Sequence, residues 1–443
     1  MTYISRNIQS SVYESFEGPY ITALLGPRRV GKSTLVQNYV SNNPSRCWVI
    51  FNMDVLAQRQ RIIKDELTAM VQEQALCLIG QQQKIWVVID EAQKCPELFD
   101  QIKILYDKFK GYSIGIKFIL TGSGSLSLHQ LSAETLAGRI EILYLREFSV
   151  AEIVSLKHQV EIPRINILDL VCNKDFIDSN EIARAIKQLS PYKLLLEESL
   201  LHYLLWGGLP EVALAASEQK SLLYLSNYLQ TYLEKDVRAI QEITNLNLYQ
   251  QLIEIVATQT GSIREDQKIL QGLSCARDTL KKYRGYLIAT LVYQEIYPFI
   301  GSTLKRLTKS PKGFLLNNGL ISLLTGVCNL DVLTKTGLIG HRFENWFLQV
   351  LNIWLDREIG QHRIYYWRTS GGIEIDFVVD KKPLVLPFEV TTGIEKNQKK
   401  IKHLREFMRY EPRVTQGFYI YNGPYEYDAN LNIHFLPAWS VGV

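Results

Sequence analysis

The hydrophobic residues in the first third of the chain form short unbroken runs separated by longer mixed stretches. The runs are Ile21–Leu25, Trp48–Asp54, Ile85–Ile89, Gly115–Leu120 and Ile140–Leu145. Runs of this length without alternation are typical of strands buried on both faces of a parallel sheet, and the stretches between them are long enough for helices. The pattern predicts an α/β domain from about Tyr20 to Leu145, with helices on both faces of the sheet.

The pattern changes after Phe148. The segment up to about Ile240 is rich in helix formers and predicts a helical lid, with a turn at Trp206–Pro210. From Asn247 to about Gly326 we expect a helix, a second helix over Arg264–Leu273, a turn at Ser274–Ala276, a third helix and two short strands. This order is the layout of a winged helix.

The last hundred residues predict a second α/β region. A helix opens at Gly340, with an apolar side formed by Phe343, Phe347, Val350, Leu351 and Trp354. Strands are expected at Ile364–Arg368, Ile373–Val379 and Pro387–Val390, followed by a lysine-rich helix over Glu395–Arg409. The chain is therefore expected to have four domains: 1–146, 147–240, 241–330 and 331–443.

Composition narrows the class of protein. The 443 residues are 47% hydrophobic and 21% charged, as in globular proteins, and two to four domains are expected for this length. Six scattered cysteines without a C-x-x-C pair indicate a reducing compartment. The N-terminal segment resembles no signal peptide and no run of 18 apolar residues exists, so we expect a cytoplasmic protein without a membrane span.

The turn after the first run has the pattern G-x-x-x-x-G-K-S. Strand, glycine loop and helix together form a phosphate-binding loop, in which backbone N–H groups surround phosphate oxygens. Lys32 is expected to reach the β- and γ-phosphates, and the Ser33 hydroxyl to bind Mg²⁺. The predicted nucleotide contacts are Gly26, Pro27, Arg28, Arg29, Val30, Gly31, Lys32, Ser33 and Thr34.

Two later runs end in polar residues that complete such a site. Asp90 follows Val87–Ile89, at the edge of the sheet where ligands bind, and is expected to hold Mg²⁺ through water. Glu91 is placed to orient or deprotonate the attacking water. Thr121 or Ser123, after the fourth run, could sense the γ-phosphate or hold the attacking water if that strand lies between the other two, although a helix cap or turn explains them equally well.

An arginine that neutralises charge on the γ-phosphate is also expected. Our candidate is Arg139, supplied to a neighbouring subunit, which would require a homo-oligomer. Arg28 and Arg29 are alternatives, and a surface ion pair would explain any of the three.

These motifs resemble a bacterial and archaeal family of AAA-like P-loop ATPases that carry a C-terminal region of unknown function. The resemblance rests on the segments GPRRVGKSTL, VVIDEAQKCPELFDQIKILYD, FILTGS and LAGRIEILYLREFS, and continues in WGGLPEVAL, YLEKDVRAI, RFENWFLQVL and YYWRTSGGIEIDFVV. It covers nearly the whole chain. It implies ATP as ligand, Mg²⁺ as cofactor and slow ATP hydrolysis.

The C-terminal order of helix, strands and helix resembles the restriction-endonuclease-like fold. Glu344, Asp376 and Glu389 stand where that fold keeps its metal ligands. The endonuclease pattern ends in E-x-K, whereas this chain has Thr391 at the lysine position. Lys396, Lys399 or Lys400 would have to replace that lysine from the next helix. A retired nuclease fold, kept for binding or dimerisation, is the preferred interpretation.

A basic segment, 274–312, could contact DNA. It contains Lys281, Lys282, Arg284, Lys305, Arg306, Lys309 and Lys312, a local charge excess of the kind that binds phosphate backbones. The alternative is a solvated surface loop. The sequence thus favours an ATPase that couples nucleotide state to its C-terminal domains. A nucleotide-gated DNA-binding switch and an ATP-dependent nuclease are the alternatives.

Overall fold

The computed structural model describes residues 3–75, 84–109, 115–123, 135–172, 178–237, 243–301, 306, 309–358 and 362–442. The chain divides into two compact units. The first unit runs to Glu147 and takes in Ala289–Leu291, and the second contains the remainder of the chain from Phe148. The division falls one residue beyond the predicted end of the first domain.

The first unit contains a parallel sheet of five strands in the order β2-β3-β4-β1-β5. β1 is buried at every position and β4 at all but its first, which explains why their hydrophobic runs do not alternate. The predicted α/β class of this region is confirmed. The strands are β1 Ile21–Gly26, β2 Cys47–Asn52, β3 Ile85–Asp90, β4 Ile116–Ser123 and β5 Ile140–Tyr144.

Helices cover this sheet through apolar residues spaced three and four apart. In the helix Leu98–Phe109, the side chains of Leu98, Phe99, Ile102 and Leu105 are buried. Burying one such side chain contributes about 1.5–3 kcal/mol. The helices are α1 Gln9–Glu17, α2 Lys32–Ser41, α3 Leu56–Ile63, α4 Leu67–Ala75 and α5 Leu98–Phe109, with a 3₁₀ turn at Ala92–Lys94.

Lys117 lies inside the first unit and attaches α1 to the sheet. Its Nζ donates hydrogen bonds to the carbonyls of Ser15 at 2.6 Å and Gly18 at 3.2 Å, and also to that of Tyr20. These carbonyls lie at the C-terminal end of α1 and just after it, so the ammonium connects that end of the helix to β4. Burial lowers the pKa of Lys117 to about 7.

The strand order brings the predicted site residues to one edge of the sheet. β4 lies between β1 and β3, as the sequence analysis required, and the carboxyl ends of parallel strands meet at the same edge. Thr121 lies beside Leu24 and Ser123 beside Gly26 in the β1–β4 register.

The second unit begins with a series of helices. Every regular element that the structure describes between Val150 and Val237 is helical, as predicted. α6 starts with a capping box, in which Ser149 Oγ accepts from the Glu152 N–H and the Glu152 carboxylate accepts from the Ser149 N–H. The helices are α6 Val150–His158, α7 Ile167–Cys172, α8 Ser179–Leu189, α9 Lys193–Trp206, α10 Pro210–Ala213 and α11 Glu218–Thr231, with a 3₁₀ turn at Ser190–Tyr192 and a π-helix at Tyr232–Val237.

Two glycines form the predicted turn between α9 and α10. Gly207 has a φ of +68°, which side chains disfavour. A Cβ on Gly208 would lie 2.2 Å from the Phe148 carbonyl oxygen, so only glycine allows this approach.

The rest of the second unit is organised on a sheet of nine strands in the order β13-β14-β12-β11-β10-β9-β7-β8-β6. β7 and β9 pair in parallel at Tyr297 and Tyr365, so the sheet is continuous across the predicted boundary after residue 330. The strands are β6 Ser262–Ile263, β7 Tyr293–Pro298, β8 Lys312–Leu315, β9 Arg363–Arg368, β10 Glu374–Lys381, β11 Leu384–Val390, β12 Gly417–Tyr421, β13 Glu426–Asp428 and β14 Ile433–Pro437.

The helices around this sheet depart from the predicted bounds by a few residues. α18 begins at Gln398 rather than Glu395, because the Asn397 side chain caps it by accepting from the N–H groups of Lys399 and Lys400. The helices are α12 Leu246–Thr258, α13 Asp266–Leu273, α14 Arg277–Ala289, α15 Asn318–Thr325, α16 Leu330–Lys335, α17 Ile339–Leu355, α18 Gln398–Tyr410 and α19 Ala438–Val441.

α17 is buried on its polar side as well as its apolar one. Asn345 donates to the Leu315 carbonyl at 2.9 Å, and Gln349 donates to the Leu316 carbonyl at 2.7 Å. These amides satisfy main-chain carbonyls inside the unit. Within the described ranges, we find no helix with the length and apolar character needed to cross a bilayer.

Candidate functional site

The loop between β1 and α2 has the backbone geometry that its glycines predict. A Cβ on Gly26 would lie 2.1 Å from the Leu145 carbonyl oxygen, so this position allows only glycine. Gly31 has a φ of +98° and immediately precedes α2, and Arg29 has a φ of +59°. Val30 is buried and Pro27 is half-buried, while Thr34 on the first turn of α2 is exposed.

The Lys32 ammonium lies inside this loop. Its Nζ donates to the carbonyls of Gly26 at 2.9 Å and Pro27 at 2.8 Å, and the side chain is only 6% exposed. The positive charge is thus held at the start of the loop, beside the N-terminus of α2.

Ser33, Asp90 and Thr121 form what we call the P-loop cluster. Ser33 Oγ lies 3.1 Å from both carboxylate oxygens of Asp90. The Thr121 hydroxyl donates to Asp90 Oδ1 from the neighbouring strand. This hydrogen bond fixes the orientation of the Asp90 carboxylate, while the phosphate-sensing role expected of Thr121 or Ser123 stays a prediction.

Glu91 and Ser123 are linked through a residue that the sequence analysis did not select. Gln93 Nε2 donates to Glu91 Oε2 at 2.5 Å and to Ser123 Oγ at 3.0 Å. Glu91 has a φ of +55°, and its N–H lies 3.4 Å from Thr121 Oγ1. The amide of Gln93 holds the Glu91 carboxylate near the carboxyl end of β4.

The candidate arginines lie at different places. Arg139 precedes β5, and its carbonyl accepts from the N–H of Ile21, which begins β1, so it lies at the sheet edge opposite the loop. It forms a two-point ion pair with Asp107, at 2.8 and 2.9 Å. Arg28 is half-buried and Arg29 is exposed in the loop itself. This placement does not bring Arg139 to the P-loop of its own chain.

The three C-terminal acids lie in a second polar region, within the second unit. Lys400 Nζ donates to Asp376 Oδ2 at 2.6 Å, to Glu389 Oε2 at 2.7 Å and to the Val390 carbonyl at 3.0 Å. We call Asp376, Glu389 and Lys400 the lysine cluster. In the part of the chain that the structure describes, no three His, Cys, Asp or Glu side chains are placed to hold a metal ion.

Burial and charge act differently on the acids of this region. Burial raises the pKa of Glu389 well above its ordinary value, and the Asp376 charge raises it further. The same two causes raise the pKa of Glu344 to about 7. Burial also acts to raise the pKa of Asp376, but the ammonium groups of Lys400 and Lys312 outweigh it and lower the value to about 2.

The basic segment presents fewer exposed cations than its sequence predicts. Arg284 is 7% exposed and pairs with Asp266 and Glu295, and Lys312 is 4% exposed and pairs with Glu374. The prediction that these two residues contact DNA is therefore wrong, because acidic side chains inside the unit neutralise their charges. Arg306 donates hydrogen bonds to the Ile300 carbonyl and the Tyr365 hydroxyl. Lys281, Lys282 and Lys309 are exposed. Lys305 lies outside the described residues.

Three protein families match successive parts of the chain. Residues 18–154 match an AAA domain. Residues 197–331 match a domain of unknown function (DUF8612), and residues 339–441 match another (DUF4143). The first match coincides with the sheet, the loop and the P-loop cluster. The first unit contains an AAA-type P-loop domain.

The chain is also similar to uncharacterised relatives and, more distantly, to solved structures. Uncharacterised proteins of Mycobacterium tuberculosis and Mycobacterium bovis are each 25% identical over 372 residues, covering 84% of this chain and 70% of theirs. A Walker-type ATPase of Pyrococcus abyssi aligns with 17% identity and a TM-score of 0.43, covering 73% of this chain and 96% of its own. The ORC2 protein of Aeropyrum pernix in its ADP form aligns with 10% identity and a TM-score of 0.31, covering 73% and 92%. The winged-helix and restriction-endonuclease-like interpretations stay predictions.

The sequence analysis missed two residues of this domain, Arg6 and Gln93. Arg6 donates to the Val30 carbonyl and to the Arg146 carbonyl, both at 2.7 Å, and so connects the loop with the segment after β5. Arg6 lies outside every motif, so only the folded chain reveals it. Gln93 lies two residues after Glu91, and a polar residue so close to an expected base was a signal available in the sequence.

Proposed function

We propose that the chain binds ATP with Mg²⁺ and hydrolyses it at the P-loop cluster. The observation that carries the proposal is the contact of the Ser33 hydroxyl, in the first turn of α2 after the glycine loop, with both carboxylate oxygens of Asp90. A hydroxyl and a carboxylate are the oxygen ligands that Mg²⁺ prefers, so these residues fit the ion. When bound, Mg²⁺ would neutralise charge on the transferred phosphate.

The chain's own residues divide the remaining tasks. Lys32, buried beside the loop carbonyls, would bind the β- and γ-phosphates together with the loop N–H groups. Thr121 would keep Asp90 oriented toward Ser33. Glu91 would accept the proton of the attacking water, positioned by Gln93.

Phosphate release tests this division of roles. Lys32→Ala should abolish ATP binding, because the phosphates lose a charged partner. Glu91→Gln should bind ATP and turn over at least about 100-fold more slowly, the scale of a general-base contribution. Lys64→Ala and Glu97→Gln, at exposed positions of the same unit, are matched controls. Equal rates in Lys32→Ala, Glu91→Gln and the wild type would refute the proposal.

We also propose that Arg139 acts on the ATP of a neighbouring copy. Its position at the edge opposite its own loop supports action in trans rather than in cis. A mixture of Lys32→Ala and Arg139→Ala should recover activity that neither variant has alone, because one supplies the arginine and the other the loop. Light scattering with and without ATP should show assembly; a monomer in both states contradicts the idea.

A nucleotide-gated DNA-binding role is the second candidate. Arg277, Lys281 and Lys282 are exposed on α14, the third helix of the α-β-α-α-β-β segment from α12 to β8. Cations on one exposed helix are suited to phosphate contacts. The affinity for DNA should fall steeply with salt and change with ATP. Lys281→Ala should reduce the slope by about 1, whereas Arg284→Ala, at a buried position, should not. Absence of binding at low salt rejects this role.

A further inference from the structure

Three oxygen atoms converge on the Lys400 ammonium. Asp376 Oδ2 belongs to β10, while Glu389 Oε2 and the Val390 carbonyl belong to the neighbouring strand β11. They lie 2.6, 2.7 and 3.0 Å from Nζ. An ammonium group has three N–H donors, so these oxygens use all of them. Lys400 reaches the position from the first turn of α18.

The same oxygens would surround the Mg²⁺ that the endonuclease resemblance implies. Two carboxylates and a main-chain carbonyl are hard oxygen ligands, and Mg²⁺ binds such ligands at about 2.0–2.1 Å. An ammonium already at hydrogen-bond distance from all three leaves no room for a second cation among them. The residues present therefore do not fit a resident divalent metal.

Charge supports the same conclusion. The side chains of Asp376 and Glu389 are only 9% and 1% exposed, so a positive charge beside them is weakly screened by water. A second buried ammonium, on Lys312, pairs with Glu374 two residues before Asp376. A divalent ion would enter a region that already holds two lysine charges.

We propose that Lys400 is a built-in cation that takes the place of a divalent metal in the C-terminal α/β region. This region then needs no metal to fold, and it does not cleave DNA. Removing the ammonium should uncover a divalent cation site formed by Asp376, Glu389 and the Val390 carbonyl. Glu389 Oε1, which accepts no hydrogen bond from the described residues, would be available as an additional ligand atom.

The test measures Mn²⁺ binding to the full chain in two ways. One is the loss of the EPR signal of the free ion, and the other is the change in Tm. All proteins carry Asp90→Asn, so that the P-loop cluster does not contribute. Lys400→Ala should bind one Mn²⁺ at least about tenfold more tightly than the parent, which carries Asp90→Asn alone, because like-charge repulsion is removed. Mn²⁺ should raise the Tm of this variant and leave that of the parent unchanged.

Matched variants separate this site from general surface binding. Lys399→Ala removes an exposed lysine from the same helix turn and should behave like the parent. Adding Asp376→Asn to Lys400→Ala should abolish the new site. If Lys400→Ala does not fold, Lys400→Gln keeps a polar donor without the charge and should show the same gain.

Two Mn²⁺-binding results would overturn the proposal. One is Mn²⁺ binding by the parent that Asp376→Asn abolishes, since the metal would then displace Lys400. The other is a folded Lys400→Gln or Lys400→Ala variant that gains no Mn²⁺ site. Cleavage of supercoiled DNA by the wild type with Mg²⁺ or Mn²⁺, lost in Asp376→Ala, would also contradict it.

Discussion

The P-loop cluster and the lysine cluster both place strand-borne carboxylates beside a helix, but their neighbours differ in charge. Asp90 faces the neutral hydroxyls of Ser33 and Thr121, while Lys32 is held by loop carbonyls. Asp376 and Glu389 face the ammonium of Lys400 directly. A carboxylate with neutral partners keeps its charge for a ligand, whereas one paired with a lysine is already neutralised.

The comparison separates sites that bind from sites that stabilise. A buried carboxylate paired with an ammonium is costly to break, because removing one partner leaves an unpaired buried charge. A carboxylate among hydroxyls loses little stability when neutralised, but it loses its attraction for a cation. The same substitution should therefore affect activity in one cluster and stability in the other.

The strongest test of this contrast neutralises one aspartate in each cluster. Asp90→Asn should lower phosphate release at least about 100-fold and leave the Tm nearly unchanged, since its partners are neutral. Asp376→Asn should leave turnover within about twofold and lower the free energy of unfolding by about 3 kcal/mol, because Lys400 loses a buried partner. Phosphate release and thermal unfolding measure both effects. Similar losses of stability in the two variants would remove the distinction.

A smaller effect is expected at Gln93, beside the P-loop cluster. Gln93→Ala should lower kcat about tenfold with little change in KM, because Glu91 loses the donor that positions its carboxylate. Lys94→Ala, at the next position, is the control and should retain wild-type kcat. A marked fall in Tm together with the fall in kcat would point instead to a structural role for the amide.

The smallest expected effect is a pH dependence in the second unit. Glu344 has a pKa raised from 4.5 to about 7, so between these pH values the folded chain binds more protons than the unfolded chain. Stability should therefore fall as pH rises through this window. Glu344→Gln should reduce the fall in the free energy of unfolding across this window by about 1 kcal/mol, since the partial exposure of Glu344 weakens the effect. An unchanged slope would show that another group titrates.

The sequence predicted the fold of the AAA-type domain well because its signals are local. Five unbroken apolar runs gave the strands, and the glycine spacing gave the loop. β4 lies between β1 and β3, the order on which the expectation for Thr121 and Ser123 depended. Placement of single side chains was harder, because it depends on residues distant in the chain: Arg6 reaches Val30, and Lys117 reaches Ser15.

Charge was the least predictable property of the second unit. Arg284 and Lys312 stand in a basic segment, yet both are buried beside acids that the folded chain brings to them. Thr391 occupies the lysine position of the endonuclease pattern, and the sequence alone could not decide whether Lys396, Lys399 or Lys400 supplies the missing ammonium. The choice depends on where α18 begins, which Asn397 determines by capping the helix.

The pairing of β7 with β9 has a consequence for how this chain can be divided. The two matched segments of unknown function each supply strands to one hydrogen-bonded sheet. In a fragment that starts at residue 339, the main-chain groups of β9 that pair with β7 would lose their partners. The exposed strand edge would then favour self-association. We therefore expect that exchange between proteins preserves this sheet only if both segments move together.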